Sequence, residues 1–150
     1  MAADRSIGCR AATQFREPYQ TYLHWLYGKL KQEGFADVRV THSTVLRRIT
    51  LEGVRITDLA ERAGMTKQSM AYLVDDLAAL GYVDVAPDPT DGRAKLVVPT
   101  KKGASLLEAA RRLGDVYEQH VAKLMGASDA KKLRTLLEDL NLKLAASPPP

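Results

Sequence analysis

Between positions 56 and 80, apolar and small residues recur at steps of three and four: Leu59, Ala60, Ala63 and Met65, then Met70, Leu73, Val74, Leu77 and Leu80. That spacing gives two short helices one buried face each, leaving Gln68, Ala71, Tyr72 and Asp75 on the outer face of the second. Gly64 falls between the runs, where a positive φ ends a helix without a Cβ clash, and Thr66 offers a hydroxyl N-cap to the helix that follows. Ala60 is small enough for the two helices to cross closely. After Gly81 the pattern changes: Tyr82–Ala86 and Lys95–Val98 are rich in β-branched residues and flank PDPTDGR, a run of turn formers. The order predicts a helix-turn-helix followed by a β-hairpin wing.

The flanks carry longer stripes. Glu17 and Pro18 suit a helix start, and Tyr19, Tyr22, Leu23, Leu26 and Leu30 line one face of a helix expected to run to about Gln32, with residues 1 to about 16 as an arm. A second helix is expected from a Thr41 or Ser43 cap through Val45, Leu46 and Ile49 to Thr50, with Arg47 and Arg48 outward, and Val54–Ile56 as a short strand beside the wing. Beyond Thr100, a good N-cap, Leu106, Leu107, Ala110, Leu113, Val116, Tyr117, Val121 and Leu124 make a helix ended by Gly126. Ser128 is expected to cap another, with a stripe of Leu133, Leu136, Leu137, Leu140 and Leu144. The apolar faces of these terminal helices exceed what one small wing domain can cover, which predicts a homodimer about a two-fold axis.

The run DLAERAGMTKQSMAYLVDDLAALGYV, followed by DPTDGRAKLVVPTKKG, resembles the MarR family (multiple antibiotic resistance regulators), dimeric winged-helix transcription factors. Asp88, Pro89, Asp91, Arg93, Thr100 and Gly103 match the family's D-P-x-D-x-R and L-T-x-x-G pattern, whereas Pro99 replaces the usual Leu, Gly92 a common second wing arginine, and Tyr72 an arginine often found in the recognition helix. The expected fold class is therefore mainly α with a small β-hairpin wing (α+β). It forms a single domain over 1–150, with a winged helix-turn-helix lobe at about 36–100 and dimerisation helices at about 14–33 and 101–146. The resemblance implies double-stranded DNA as partner, bound by Thr66, Lys67, Gln68, Ser69 and Tyr72 of the recognition helix and by Asp91, Arg93 and Lys95 of the wing. It also implies a small effector, aromatic or phenolic, near Tyr22, Trp25, His42 and Tyr117, although such aromatic residues more often serve as core or interface. In the wing, Gly92 is expected to permit a bend that lets the Asp91 carboxylate hold the Arg93 guanidinium for minor-groove entry.

Composition adjusts this picture. The 150-residue chain is 45% hydrophobic with net charge +4, which allows nucleic-acid binding without requiring it. Residues 51–100 hold five Lys or Arg against eight Asp or Glu, net −3, so DNA contact requires a local basic edge at Lys67, Arg93 and Lys95. That acidic balance also supports an alternative, a winged helix that binds protein and not specific DNA. No apolar run reaches membrane-spanning length and no signal-peptide core is present, so a cytoplasmic protein is expected. The single Cys9 reads as a free thiol in a mobile arm, with oxidant sensing as the alternative implied by the resemblance. His24 and His42 have no second ligand at a metal spacing. Phosphate-loop, H-E-x-x-H and G-x-S-x-G motifs are absent, so neither a cofactor nor catalysis is expected.

Overall fold

The computed structural model describes residues 10–147, and side chains from residue 13; Cys9 lies outside them. The chain divides into two compact units, one up to residue 111 and one from residue 112 onward.

In the first unit, α1 (Arg10–Gln32) starts well before the expected Glu17–Pro18 boundary and holds Pro18 in its interior. Residues 14–21 are exposed, so water can satisfy the carbonyl that Pro18 leaves without a donor. The chain then turns through a single 3₁₀ turn, Val40–His42, into α2 (Ser43–Leu46), which ends four residues short of the expected Thr50. Arg48 is only half-exposed: its guanidinium donates to the carbonyls of Thr44 at 2.9 Å and Arg62 at 3.1 Å, binding the end of α2 to the following helix.

The helix-turn-helix forms as read. Strand β1 (Val54–Arg55) leads into α3 (Ile56–Ala63), which Gly64 ends at φ 62°. Helix α4 (Lys67–Ala79) follows, with the Thr66 hydroxyl accepting the Ser69 N–H as N-cap. Leu59, Met70, Val74 and Leu77 are completely buried and Ala60 nearly so, which is the close crossing its small side chain permits.

The hairpin is longer and tighter than expected. Strands β2 (Val83–Asp88) and β3 (Asp91–Pro99) absorb most of PDPTDGR, leaving Pro89 and Thr90 as the link. The register shifts between Pro87 and Asp88, an irregularity that lets the strands close on so short a connection. Gly92 has no positive φ and sits within β3, so the bend does not depend on it. The sheet order is β1-β3-β2, antiparallel throughout, with Arg55 opposite Leu96.

The first part of α5 (Lys101–Met125) docks on this lobe through a short polar network. The Thr100 hydroxyl donates to the Gly81 carbonyl at 2.7 Å and accepts the Gly103 N–H at 3.1 Å. Lys102 Nζ donates to Asp37 at 3.0 Å and to the Leu80 carbonyl at 2.9 Å, and lies 4.0 Å from the centre of the buried Tyr82 ring. The Tyr82 hydroxyl donates to Asp37, which lowers that carboxyl's pKa, helped by Lys102.

The second unit holds the end of α5 and α6 (Ala127–Ala146). Gly126, not Ser128, occupies the N-cap position of α6, and Ser128 lies inside the helix. None of the twenty residues of α6 is buried, and Leu133, Leu136, Leu137, Leu142 and Leu144 are exposed.

Candidate nucleic-acid interface

Helix α4 presents its first turn outward because Met70, Val74 and Leu77 bury the opposite face. Thr66 and Ser69 are held to one another, the Ser69 N–H at 3.1 Å from the Thr66 hydroxyl and the two hydroxyls at 2.9 Å. Lys67 and Gln68 stand exposed between them, and Tyr72, one turn on, is 69% exposed. A large aromatic ring so bare on an otherwise amphipathic helix is available for contact with a partner.

An open cleft of about 690 Å³ separates α4 from the wing. Arg55 and Thr57 line it from the start of the helix-turn-helix, Lys67, Ala71 and Asp75 from α4, and Val85, Asp91, Arg93 and Lys95 from the hairpin. Four of the expected DNA-binding residues, Lys67, Asp91, Arg93 and Lys95, thus share one concavity. Thr66, Gln68, Ser69 and Tyr72 lie on the exposed first turns of α4 and do not line it. Arg55, read from the sequence only as shaping the entry to the helix-turn-helix, and Thr57 were not among the expected DNA-binding residues. The only signal was an arginine directly ahead of the helix start in a segment otherwise short of basic residues.

The wing tip is held differently from expectation. Asp91 Oδ1 accepts the backbone N–H of Arg93 at 3.1 Å, and among the described residues no ion pair joins Asp91 to the Arg93 guanidinium. The carboxylate that braces the wing is Asp88. Its Oδ1 accepts the Thr90 N–H at 2.8 Å and hydroxyl at 2.7 Å, while Oδ2 accepts Arg55 Nε at 2.7 Å. Those bonds, the Thr90 hydroxyl first among them, hold the Asp88 pKa down to about 2.

A smaller apolar cleft of about 190 Å³ lies in the first unit among Tyr19, Tyr22, Leu26 and Tyr27 of α1, Ser43 and Arg47 near α2, and Leu106 and Leu107 of α5. Burial pushes the Tyr27 hydroxyl up to about 12, partly offset by its bond with Ser43, and Arg47 donates to the Tyr19 hydroxyl at 3.2 Å. Of the expected effector residues only Tyr22 lines this cleft. Trp25 does not, and Tyr117 belongs to the second unit. His42 does not line this cleft either: it is fully buried, with Nδ1 accepting the Arg39 N–H at 3.1 Å and Nε2 2.7 Å from Asp76 Oδ2. Since Nδ1 accepts, Nε2 carries the proton and donates to the carboxylate, which Arg39 also grips. His42 therefore ties the 3₁₀ turn to α4, and the same bond lowers the Asp76 pKa.

Comparison with known proteins places this architecture. The model of the MarR family matches residues 36–94. HTH-type transcriptional regulators of Mycobacterium bovis and Mycobacterium leprae are 36% and 38% identical over 91 and 92 residues, 61% of this chain. In each case the match spans 63% of the relative's length. A crystal structure of MarR superposes with TM-score 0.73 at 17% identity, covering 97% of both chains. The S. aureus MepR–DNA complex superposes with TM-score 0.69 at 19% identity, covering 91% of this chain and 99% of that one. At such identities these structural likenesses speak to fold alone.

Proposed function

The chain belongs to the MarR family, and from that premise we propose that it is a cytoplasmic, DNA-binding transcriptional regulator, acting as a homodimer on a pseudo-palindromic operator. The observation that carries the reading is the cleft between α4 and the wing, where Arg55, Lys67, Arg93 and Lys95 converge from three parts of a segment that is acidic in sum. Phosphates provide the complementary charge, and the exposed Gln68, Ser69 and Tyr72 beside them provide base-edge chemistry. S. aureus MepR, which shares the fold, was solved in complex with DNA, in keeping with DNA as the partner. A two-fold dimer would set two α4 helices in successive major grooves and two wings in the flanking minor grooves. The apolar cleft at Tyr19, Tyr22 and Tyr27 suits a small aromatic effector that favours one arrangement of the recognition helices over the other.

Selection from a random duplex pool tests this directly, with enriched inverted half-sites as the expected result. On the selected site, Gln68→Ala should lose roughly 1–3 kcal/mol and discriminate less, since glutamine pairs in bidentate fashion with adenine. Equal losses on selected and random DNA would remove base reading from Gln68. The net −3 of residues 51–100 favours a second reading, a protein-binding winged helix. It predicts no salt-dependent affinity for duplex DNA.

A further inference from the structure

We propose that Arg55 both fixes the wing against the helix-turn-helix and holds one phosphate of the bound duplex, an inference that rests on the DNA-binding reading above. Strand β1 pairs with β3, which ties Arg55 to Leu96 toward the base of the wing, but β1 and β2 are not neighbours, so no backbone ladder links Arg55 directly to Asp88 at the wing tip. The direct link to the tip is made by side chains: Nε and Nη2 of Arg55 lie 2.7 and 2.6 Å from the same Asp88 oxygen, across the intervening strand, and Nη2 lies 3.5 Å from the Thr90 hydroxyl. Asp88 is 6% exposed and is itself held by both Thr90 donors, so the arginine is anchored to a carboxylate that cannot swing away.

The guanidinium is not consumed by this bracing. The Arg55 side chain remains 38% exposed and lines the cleft with Lys67, Arg93 and Lys95. Nη1 has no protein partner among the described residues. A planar guanidinium can grip a carboxylate along one edge and offer its remaining N–H groups to a second anion, which an ammonium cannot do in the same geometry. Arg55 therefore sets the spacing between Lys67 on α4 and Arg93 and Lys95 on the wing, and adds a fourth donor at a fixed position.

Fluorescence anisotropy on a short random-sequence duplex across a KCl series, with thermal melts to confirm folding, separates the two roles. Arg55→Gln should weaken binding several-fold and flatten the log–log salt slope by about 0.9, the value for one phosphate contact. Arg55→Lys should restore that slope but not the full affinity. Asp88→Asn is the sharper variant, because removing a negative charge would by itself tighten DNA binding, whereas loss of the brace weakens it with the slope retained. A folded Arg55→Gln variant with the wild-type slope overturns the inference, as does wild-type or tighter binding by Asp88→Asn. Should Arg55→Gln fail to fold, wild-type affinity in both Arg55→Lys and Asp88→Asn overturns it equally. A wild-type chain with no salt-dependent affinity for the duplex overturns the regulator reading itself, and shows this before any variant is made.

Discussion

A Cβ added at Gly103 would lie 2.0 Å from the Tyr82 carbonyl oxygen and 3.1 Å from its carbon. Both neighbours are backbone, so α5 would have to lift off the helix-turn-helix lobe and strain the bonds that Thr100 makes to Gly81 and Gly103. Gly103→Ala should cost about 1–3 kcal/mol of stability, read as a lowered thermal midpoint. The glycine of the T-x-x-G pattern is thus a demand for close approach, which no periodicity along the chain could have announced. Asp88 gives a second residue-level expectation. Its folded pKa is about 2 against an ordinary 3.8, so its contribution is complete above about pH 4 and lost as the pH falls through about 2. The stability gap between wild type and Asp88→Asn should therefore be widest near neutral pH and close in acid; a gap independent of pH would contradict it. The sequence suggested Asp91 for the bracing role because it stands two residues from Arg93. The actual partner of Asp88 is 33 positions away and becomes a neighbour only through the order of the strands.

At the scale of elements, the wing carries the clearest expectation. Arg93 is exposed on β3, its N–H is held by Asp91, and it lines the shared cleft. Arg93→Ala should leave folding and assembly unchanged, weaken operator binding several-fold and flatten the salt slope by about one unit. Unchanged operator affinity would remove the wing from the DNA interface. The helices α3 and α4 were legible because a 3.6-residue period, a Gly stop and a Thr cap agree at the same places. The hairpin's ends were not. A run of Pro, Asp and Gly marks turn chemistry without saying how many of its residues the strands will take, and here, with a register shift at Pro87 and Asp88, the strands take all of PDPTDGR except Pro89 and Thr90. The short α2 was misjudged as well: its apolar pattern would have allowed it to continue, and the pattern gives no sign that Arg48 turns back onto the carbonyls of Thr44 and Arg62.

At the scale of the whole molecule, the leucines of the second unit decide what the chain must do with itself. A helix of twenty residues with none buried gains little from its own chain, yet Leu136 is 57% and Leu137 39% exposed. Beside them Tyr117, Val121, Leu133 and Leu137 line an open groove of about 260 Å³ between α5 and α6. Helices in proteins draw most of their stability from packing an apolar face, so this bare leucine face calls for an apolar partner. The sequence showed the leucine stripe; a periodicity along one chain carries no information on what covers such a face. In the proposed homodimer a second copy would meet it, the same stripe serving both sides of a two-fold axis. Leu137→Asp places a charge in that contact, where desolvation without a counter-ion is costly. The variant should sediment as a monomer, keep the fold of its helix-turn-helix lobe by near-native thermal unfolding of that part, and lose operator affinity more than affinity for a single half-site. A wild-type chain that sediments as a monomer at micromolar concentration would remove the two-fold operator arrangement, and leave the exposed leucines to be covered by a different protein.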